Sequence, residues 1–299
     1  MWKMRIRRTD LALEARELWK EQAGETTKLQ GVKARDGNRE GIPVTTVEIL
    51  DQEGEQALGK PRGTYVTLTL EGVANREEDV FGRAARAIAA ELEERMAEVP
   101  QNGLVLVAGL GNRAITPDAI GPKVHSHILV TRHLVAQMPE HFGAMRPVAS
   151  LAAEVLGTTG VESGEVVKAV CDKIRPACVI AVDALASRSL ERLCRTVQLA
   201  DTGITPGSGV GNHRFGLNRE SLGVPVIALG VPTVVDGATL AADLLGTDEL
   251  PDLGAGRDLF VTPRDIDSQV ADLSKIIGYG IDLALQPGLS MADLELLLS

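Results

Sequence analysis

Leu104 to Ala108 is an unbroken apolar run of strand length, and it follows a stretch, Asp79 to Val99, in which apolar residues recur at helical spacing among Glu and Arg. A run with no polar face belongs to a strand covered on both sides, so this pair constrains the fold more than any other feature of the chain. The alternation continues. Arg146 to Ser150, Cys178 to Val182, Thr196 to Ala200 and Pro225 to Leu229 read as strands, while Lys123 to Gln137, Ser163 to Ile174, Ser187 to Arg195 and Gly237 to Leu245 read as helices. Strands joined by helices of that length make right-handed parallel crossovers. The expected class is α/β, a mostly parallel sheet with helices on both faces. Aromatic residues make up only 3% of the chain, which argues against an aromatic-rich all-β sandwich.

Around this centre the chain carries appendages. Residues 1–40 read as peripheral, with a helix from about Asp10 to Gln22 and a Gly- and charge-rich connection through Gly41. Val44 to Leu50 and Gly63 to Leu70 are alternating β-branched runs, so residues 44–70 are expected to form a smaller peripheral β extension. After a Gly/Pro/Asp linker that begins near Gly246, Pro263 to Leu285 and Met291 to Leu298 read as C-terminal helices within 263–299. No repeat with a period of 20 to 50 residues is present, which excludes a solenoid and leaves a single domain as the economical reading.

The formal net charge of −10 argues against nucleic-acid binding as the main activity, because phosphate contacts need clustered Lys and Arg. The basic cluster Lys3, Arg5, Arg7 and Arg8 is short and precedes an acidic stretch. Cys171, Cys178 and Cys194 are an odd number without metal-type spacing, which points to a reducing compartment. No apolar run approaches the roughly 18 residues of a membrane span, and the N-terminus lacks a signal-peptide core. The expected location is cytoplasmic.

In open α/β sheets ligands bind beyond the carboxyl ends of the strands. Three loops there are unusual: Gly109-Leu110-Gly111-Asn112 continuing to Thr116-Pro117-Asp118, Asp183-Ala184-Leu185 directly after Val182, and Asp201-Thr202-Gly203 leading to the glycine-rich stretch Pro206 to Asn212, which contains Gly209. Gly109, Gly111 and Ala114 match a dinucleotide fingerprint loosely, but Pro117 falls where the phosphate-binding helix should be running. No acid follows between Asp118 and Glu140 to hold a ribose. Asp201-Thr202-Gly203 matches the tripeptide of pepsin-like proteases, yet those enzymes need two copies in a β-rich fold. A strand-ending turn capped by Asp201 explains the single copy. Gly207-Ser208-Gly209 lacks the strand-to-helix setting of a nucleophile elbow. His125, His127 and His133 lack the Glu and the spacing of a zinc helix.

Asp183 after an apolar strand, and Asp118 after Thr116-Pro117, could each simply cap a helix. Their joint position carries more information. Loops after neighbouring parallel strands can bring two carboxylates together, and two such groups do not readily both ionise. One then stays protonated as a general acid while the other deprotonates a water, the division of labour that hydrolyses amides in aspartic peptidases. The same pair could instead hold a divalent metal.

Several segments, in order over most of the chain, resemble the germination endopeptidases of spore-forming bacteria. They are Arg8-Thr9-Asp10-Leu11-Ala12 with Glu14-Ala15, Gly59-Lys60-Pro61 with Gly63-Thr64-Tyr65-Val66-Thr67, and Gly109-Leu110-Gly111-Asn112 with Thr116-Pro117-Asp118. Further along come Arg146-Pro147-Val148, Gly157 with Thr159-Gly160-Val161-Glu162, Asp183-Ala184-Leu185-Ala186, Asp201-Thr202-Gly203-Ile204 with the loop to Asn212, and Gly230-Val231-Pro232-Thr233-Val234-Val235-Asp236. The resemblance implies a fold shared with hydrogenase-maturation peptidases and an atypical aspartic endopeptidase that needs no cofactor or metal. It implies catalytic acids at Asp118 and Asp183, and small acid-soluble spore proteins as substrates in the spore core. It also implies a homotetramer and a zymogen that removes residues 1–10 by cutting between Asp10 and Leu11, leaving 11–299 as the peptidase. The stretch from Gly246 to Phe260 is shorter than is usual in that family. A binding protein without catalysis, or a metallopeptidase of the hydrogenase-maturation kind with His213 as a third ligand, are the competing readings.

Overall fold

The computed structural model of the chain describes residues 7–23, 29–74, 77–206, 215–247 and 259–298. Among them nine strands form one sheet. In chain order they are β1 (Val32–Arg39), β2 (Ile42–Ile49), β3 (Gly63–Thr69), β4 (Val105–Gly109), β5 (Val148–Ala152), β6 (Cys178–Ser187), β7 (Thr196–Ala200), β8 (Val226–Asp236) and β9 (Phe260–Val261). The spatial order is β1-β2-β3-β7-β8-β6-β4-β5, with β9 on β8. Strands β5, β4, β6 and β8 are parallel neighbours. The sheet then continues antiparallel through β7, β3, β2 and β1.

The class is the α/β one that the alternation implied, with the parallel part confined to those four strands. The reason for the reversal at β7 lies just before it. Ser187 to Arg195 does not make the expected helix: Ser187 ends β6, and Leu190–Arg192 is a single 3-10 turn. A connection that short cannot carry a parallel crossover, which needs a dozen or more residues. Lys123 to Gln137 is likewise two short helices, Ile120–His125 and Arg132–Gln137. Residues 44–70 supply β2 and β3, which extend the same sheet through β7. β1 gave no alternating signal because it is an edge strand whose side chains are almost all exposed.

Alternation in the central strands sorts the core. Val105 and Val107 of β4, with Ile180 and Val182 of β6, face the helices Val80–Arg95 and Ile266–Leu285. Leu106 and Ala108, with Val179 and Ala181, face the helix Ser163–Ile174. The two large helices approach closely where Gly280 meets Ile88; a Cβ there would lie 2.9 Å from the Ile88 side chain. Ala12 and Ala15 of the first helix, Ala12–Ala23, cover Val47, Ile49 and Tyr65 on the antiparallel part. No helix among the described residues is long and apolar enough to cross a membrane.

One core carboxyl sets a pH dependence. Asp282 is fully buried on the Ile266–Leu285 helix, where the Leu129 N–H donates to its Oδ2 at 2.9 Å and its Oδ1 at 3.1 Å. Burial pushes this carboxyl up to about 8, and the Leu129 N–H opposes the shift only in part. A folded value above the unfolded one of about 4 means that the folded state binds more protons between them. The stability contributed is therefore complete below about pH 4 and is lost as pH rises through about 8. Asp282→Asn keeps an acceptor for Leu129 and removes the titration. Thermal melts at pH 5 and pH 8 are expected to show the wild type losing more Tm than the variant; equal losses would refute the assignment.

Candidate active site

At the carboxyl end of β4 two glycines let backbone meet backbone. A Cβ on Gly109 would lie 2.2 Å from Gly121 O, and one on Gly121 would lie 2.3 Å from Leu110 N. The strand end and the Ile120–His125 helix therefore touch, and the loop between them folds back over the sheet. Gly111 makes the fold possible: its φ is +109°, and a Cβ there would sit 2.1 Å from Asp118 O. The loop closes in a 3-10 turn, Thr116–Asp118, with Pro117 supplying a preset φ.

Asp118 is oriented from several sides. The Asn112 N–H donates to its Oδ2 at 2.9 Å. Thr233 of β8 donates from Oγ1 to Pro117 O at 2.6 Å, and Thr116 Oγ1 donates to Asp267 Oδ1 at 2.7 Å, which ties the turn to the sheet and to the long C-terminal helix. Gly109, Gly111 and Asn112 thus act together as the support of this one carboxylate.

Asp183 corrects a sequence expectation. It does not end its strand, and no helix follows that it could cap; β6 runs on to Ser187. Short apolar runs such as Ala184-Leu185-Ala186 do not distinguish helix from strand by periodicity. β4 stops at the Gly109–Val182 pair, and beyond it β6 and β8 continue as an arm that begins with Asp183 opposite Gly230, with β7 still paired to β8 at Gly230 and β9 paired to its far end. The Asp183 carboxylate is buried, and its Oδ1 accepts the Ala184 N–H at 2.9 Å.

Asp118 and Asp183 line one cleft of about 320 Å3, together with Asp10, Leu185, Thr233 and Phe260. Asp10 reaches it on the N-terminal segment, which lies along the β6 arm. The Asp10 N–H donates to Ala186 O at 2.9 Å, and the Ala186 N–H donates to Asp10 Oδ2 at 2.8 Å. Gln198 on β7 bonds the two peptides on either side of Leu11: its Nε2 donates to Asp10 O at 3.1 Å, and its Oε1 accepts the Ala12 N–H at 2.8 Å. Thr9 Oγ1 accepts the Leu11 N–H at 3.0 Å and donates to Glu14 Oε2 at 2.5 Å. Leu11 itself is fully buried.

A second hollow, of about 420 Å3, shares Asp10, Leu185, Ile204 and Thr205 with the first and adds Lys60 and Gln198. Lys60 Nζ donates to Thr9 O at 3.5 Å. Desolvation lowers the Lys60 pKa, while the carboxylates of Asp10 and Glu14 oppose that shift.

The third loop has a different part. Asp201 Oδ1 accepts the Thr64 N–H at 2.8 Å, which pins the start of β3, and Asp201 is not among the residues lining either hollow. Gly209 and Asn212 lie outside the described residues, as do Ser208, His213 and most of the stretch between Gly246 and Phe260. Cysteine chemistry has little to draw on, since burial pushes the thiols of Cys171, Cys178 and Cys194 up to about 11, 12 and 12. His125 Nδ1 lies 2.7 Å from Ser150 Oγ, and burial lowers its pKa. Among the described residues no three His, Cys, Asp or Glu side chains gather as metal ligands.

Sequence reasoning missed Gln198 and Lys60. A signal existed for the first: Gln198 is the one amide in the buried run Thr196–Ala200, where a polar side chain requires a partner. Lys60 stood in Gly59-Lys60-Pro61 without a chemical role.

Comparison with known proteins gives the family of the chain. The family model for germination proteases matches residues 12–247. A germination protease of Caldanaerobacter subterraneus is 44% identical, covering 97% of this chain and 98% of its own. One from Clostridium perfringens is 43% identical over 96% of this chain and 98% of its own, and one from Bacillus cytotoxicus 35% identical over 93% of each. The first alignment runs over 322 positions against 299 residues here, so that relative has residues with no counterpart in this chain. Among solved structures, the [NiFe] hydrogenase maturation protease HycI from Thermococcus kodakarensis is similar over 64% of this chain and 98% of its own, at 18% identity and a TM-score of 0.37, a likeness too distant to bear on mechanism. Matched by the family model over most of its length and by relatives across nearly all of it, the chain belongs to the germination protease family.

Proposed function

We propose that this protease is an atypical aspartic endopeptidase that starts the degradation of small acid-soluble spore proteins during germination, and that it is made as a zymogen which cuts itself between Asp10 and Leu11. The observation that carries the reading is that Asp10 lines the same cleft as Asp118 and Asp183. A segment seated there is held through its backbone by Ala186 and Gln198, the way an extended substrate is held beside a strand.

In this reading one of Asp118 and Asp183 enters the reaction protonated and the other charged. The charged one takes a proton from water as the water adds to the carbonyl carbon. The protonated one gives its proton to the departing nitrogen as the C–N bond breaks. Residues 1–10 are the propeptide and 11–299 the active peptidase, working as a homotetramer in the spore core.

The experiment mixes a purified small acid-soluble spore protein with the full-length chain or with a chain beginning at Leu11, and follows intact masses. Fragments from defined sites are expected with the shorter chain at once and with the full-length chain after a lag, during which it loses residues 1–10. Binding without new termini from either preparation would replace the peptidase reading with that of a binding protein.

A further inference from the structure

The geometry points to Gln198 as the residue that grips and polarises the carbonyl oxygen of the bond to be cut, and it rests on the proposed cut after Asp10. Gln198 is buried in β7, between Thr67 of β3 and Gly230 of β8, so its side chain projects from a fixed point in the middle of the sheet. Both ends of its amide are used, by the two residues that flank Leu11, and the donor end falls on the carbonyl of the Asp10–Leu11 bond. Nε2 donates to Asp10 O at 3.1 Å and Oε1 accepts from the Ala12 N–H at 2.8 Å. The two bonds together fix which end of the amide is which.

The Asp10 carbonyl is the group whose oxygen must take up charge. When water adds to its carbon, the C=O π pair moves onto oxygen, and a donor already aimed at that atom stabilises the change without reorganising. Gln198 keeps its proton throughout. The proton lost by the water goes to one Asp and the proton gained by the Leu11 nitrogen comes from the other. Lys60 is the neighbouring amine, but its Nζ reaches Thr9 O, one carbonyl earlier. The Ala186 peptide is engaged by the Asp10 N–H and side chain rather than by the Asp10 carbonyl. In the scheme above the two acids are engaged with the water and the departing nitrogen, and Gln198 supplies the donor to the carbonyl oxygen.

Two variants of the full-length chain test this. Gln198→Glu keeps the shape and an acceptor for Ala12 but removes the donor; Gln198→Met keeps the volume and removes both. Self-processing is followed by intact mass. After it, kcat and KM are measured on a peptide with the sequence of residues 5–16, per folded molecule, with Tm recorded alongside. Both variants are expected to process about a hundredfold more slowly and to lose kcat by the same factor, with KM changed less than about threefold. A residue that merely tethers the N-terminal segment predicts the reverse, unchanged or faster processing and an unchanged kcat, and that result overturns the proposal. If the wild type itself makes no cut between Asp10 and Leu11, the proposed processing site fails, and this proposal with it.

Discussion

Asp183→Asn is expected to stop cleavage of both the N-terminal segment and an added spore protein, with a rate loss of about a thousandfold or more; Asp118→Asn is expected to do the same. The substitutions are well chosen for separating chemistry from structure. Asp118 accepts the Asn112 N–H and Asp183 accepts the Ala184 N–H, and the Oδ1 of an asparagine keeps an acceptor at each place, though a weaker one than a carboxylate. What an amide cannot do is carry the transferred proton. Both purified variants should keep the mass of the uncut chain, and their melting should stay close to that of the wild type. Because the two groups act as one unit, the double variant should be scarcely slower than either single one. Wild-type turnover by either variant would sink the shared-water mechanism, whereas additive losses would assign the two acids to separate steps.

How much of this was readable beforehand depends on whether the signal was local. The buried strands β4 and β6 and the helices Ser163–Ile174 and Gly237–Leu245 were legible, because burial on both faces or on one face leaves a periodic trace in the residues themselves. β1 was not, since Val32–Arg39 is held by its pairing with β2 and exposes nearly every side chain. The full length of β6 was hidden for a related reason. Asp183 interrupts an apolar run and reads as a boundary, yet the strand continues because β8 pairs with it as far as Ser187. The acids Asp118 and Asp183 could be named from their loops. The contact of Asp10 and Ala12 with Ala186 and Gln198 could not be, because it joins positions more than 170 apart and is stored in sheet order rather than in any motif.

Glu14 joins the same regions by charge, and its removal is expected to be the costliest single change outside the cleft. It is fully buried on the first helix. Its Oε2 accepts the Arg188 N–H at 2.6 Å and its Oε1 accepts the Ser189 N–H at 3.0 Å, while Arg192 Nη1 lies 3.3 Å from Oε1. Glu14→Ala leaves the two N–H groups and part of a guanidinium without their acceptor. Breaking a buried pair from one side costs roughly 3–5 kcal/mol. Glu14→Gln keeps one acceptor oxygen and should cost less, about 1–3 kcal/mol. Arg192 retains Glu17 in both variants, at 2.7 Å and 2.9 Å, so replacing Arg192 should not simply mirror the loss of Glu14. Urea unfolding of the wild type and the two variants tests the order. Because Glu14 follows the Asp10–Leu11 bond, most of the loss should persist in the chain beginning at Leu11, with only the share due to Thr9 gone. Losses below about 1 kcal/mol in both chains would mean that water replaces the carboxylate, as it does at an exposed ion pair.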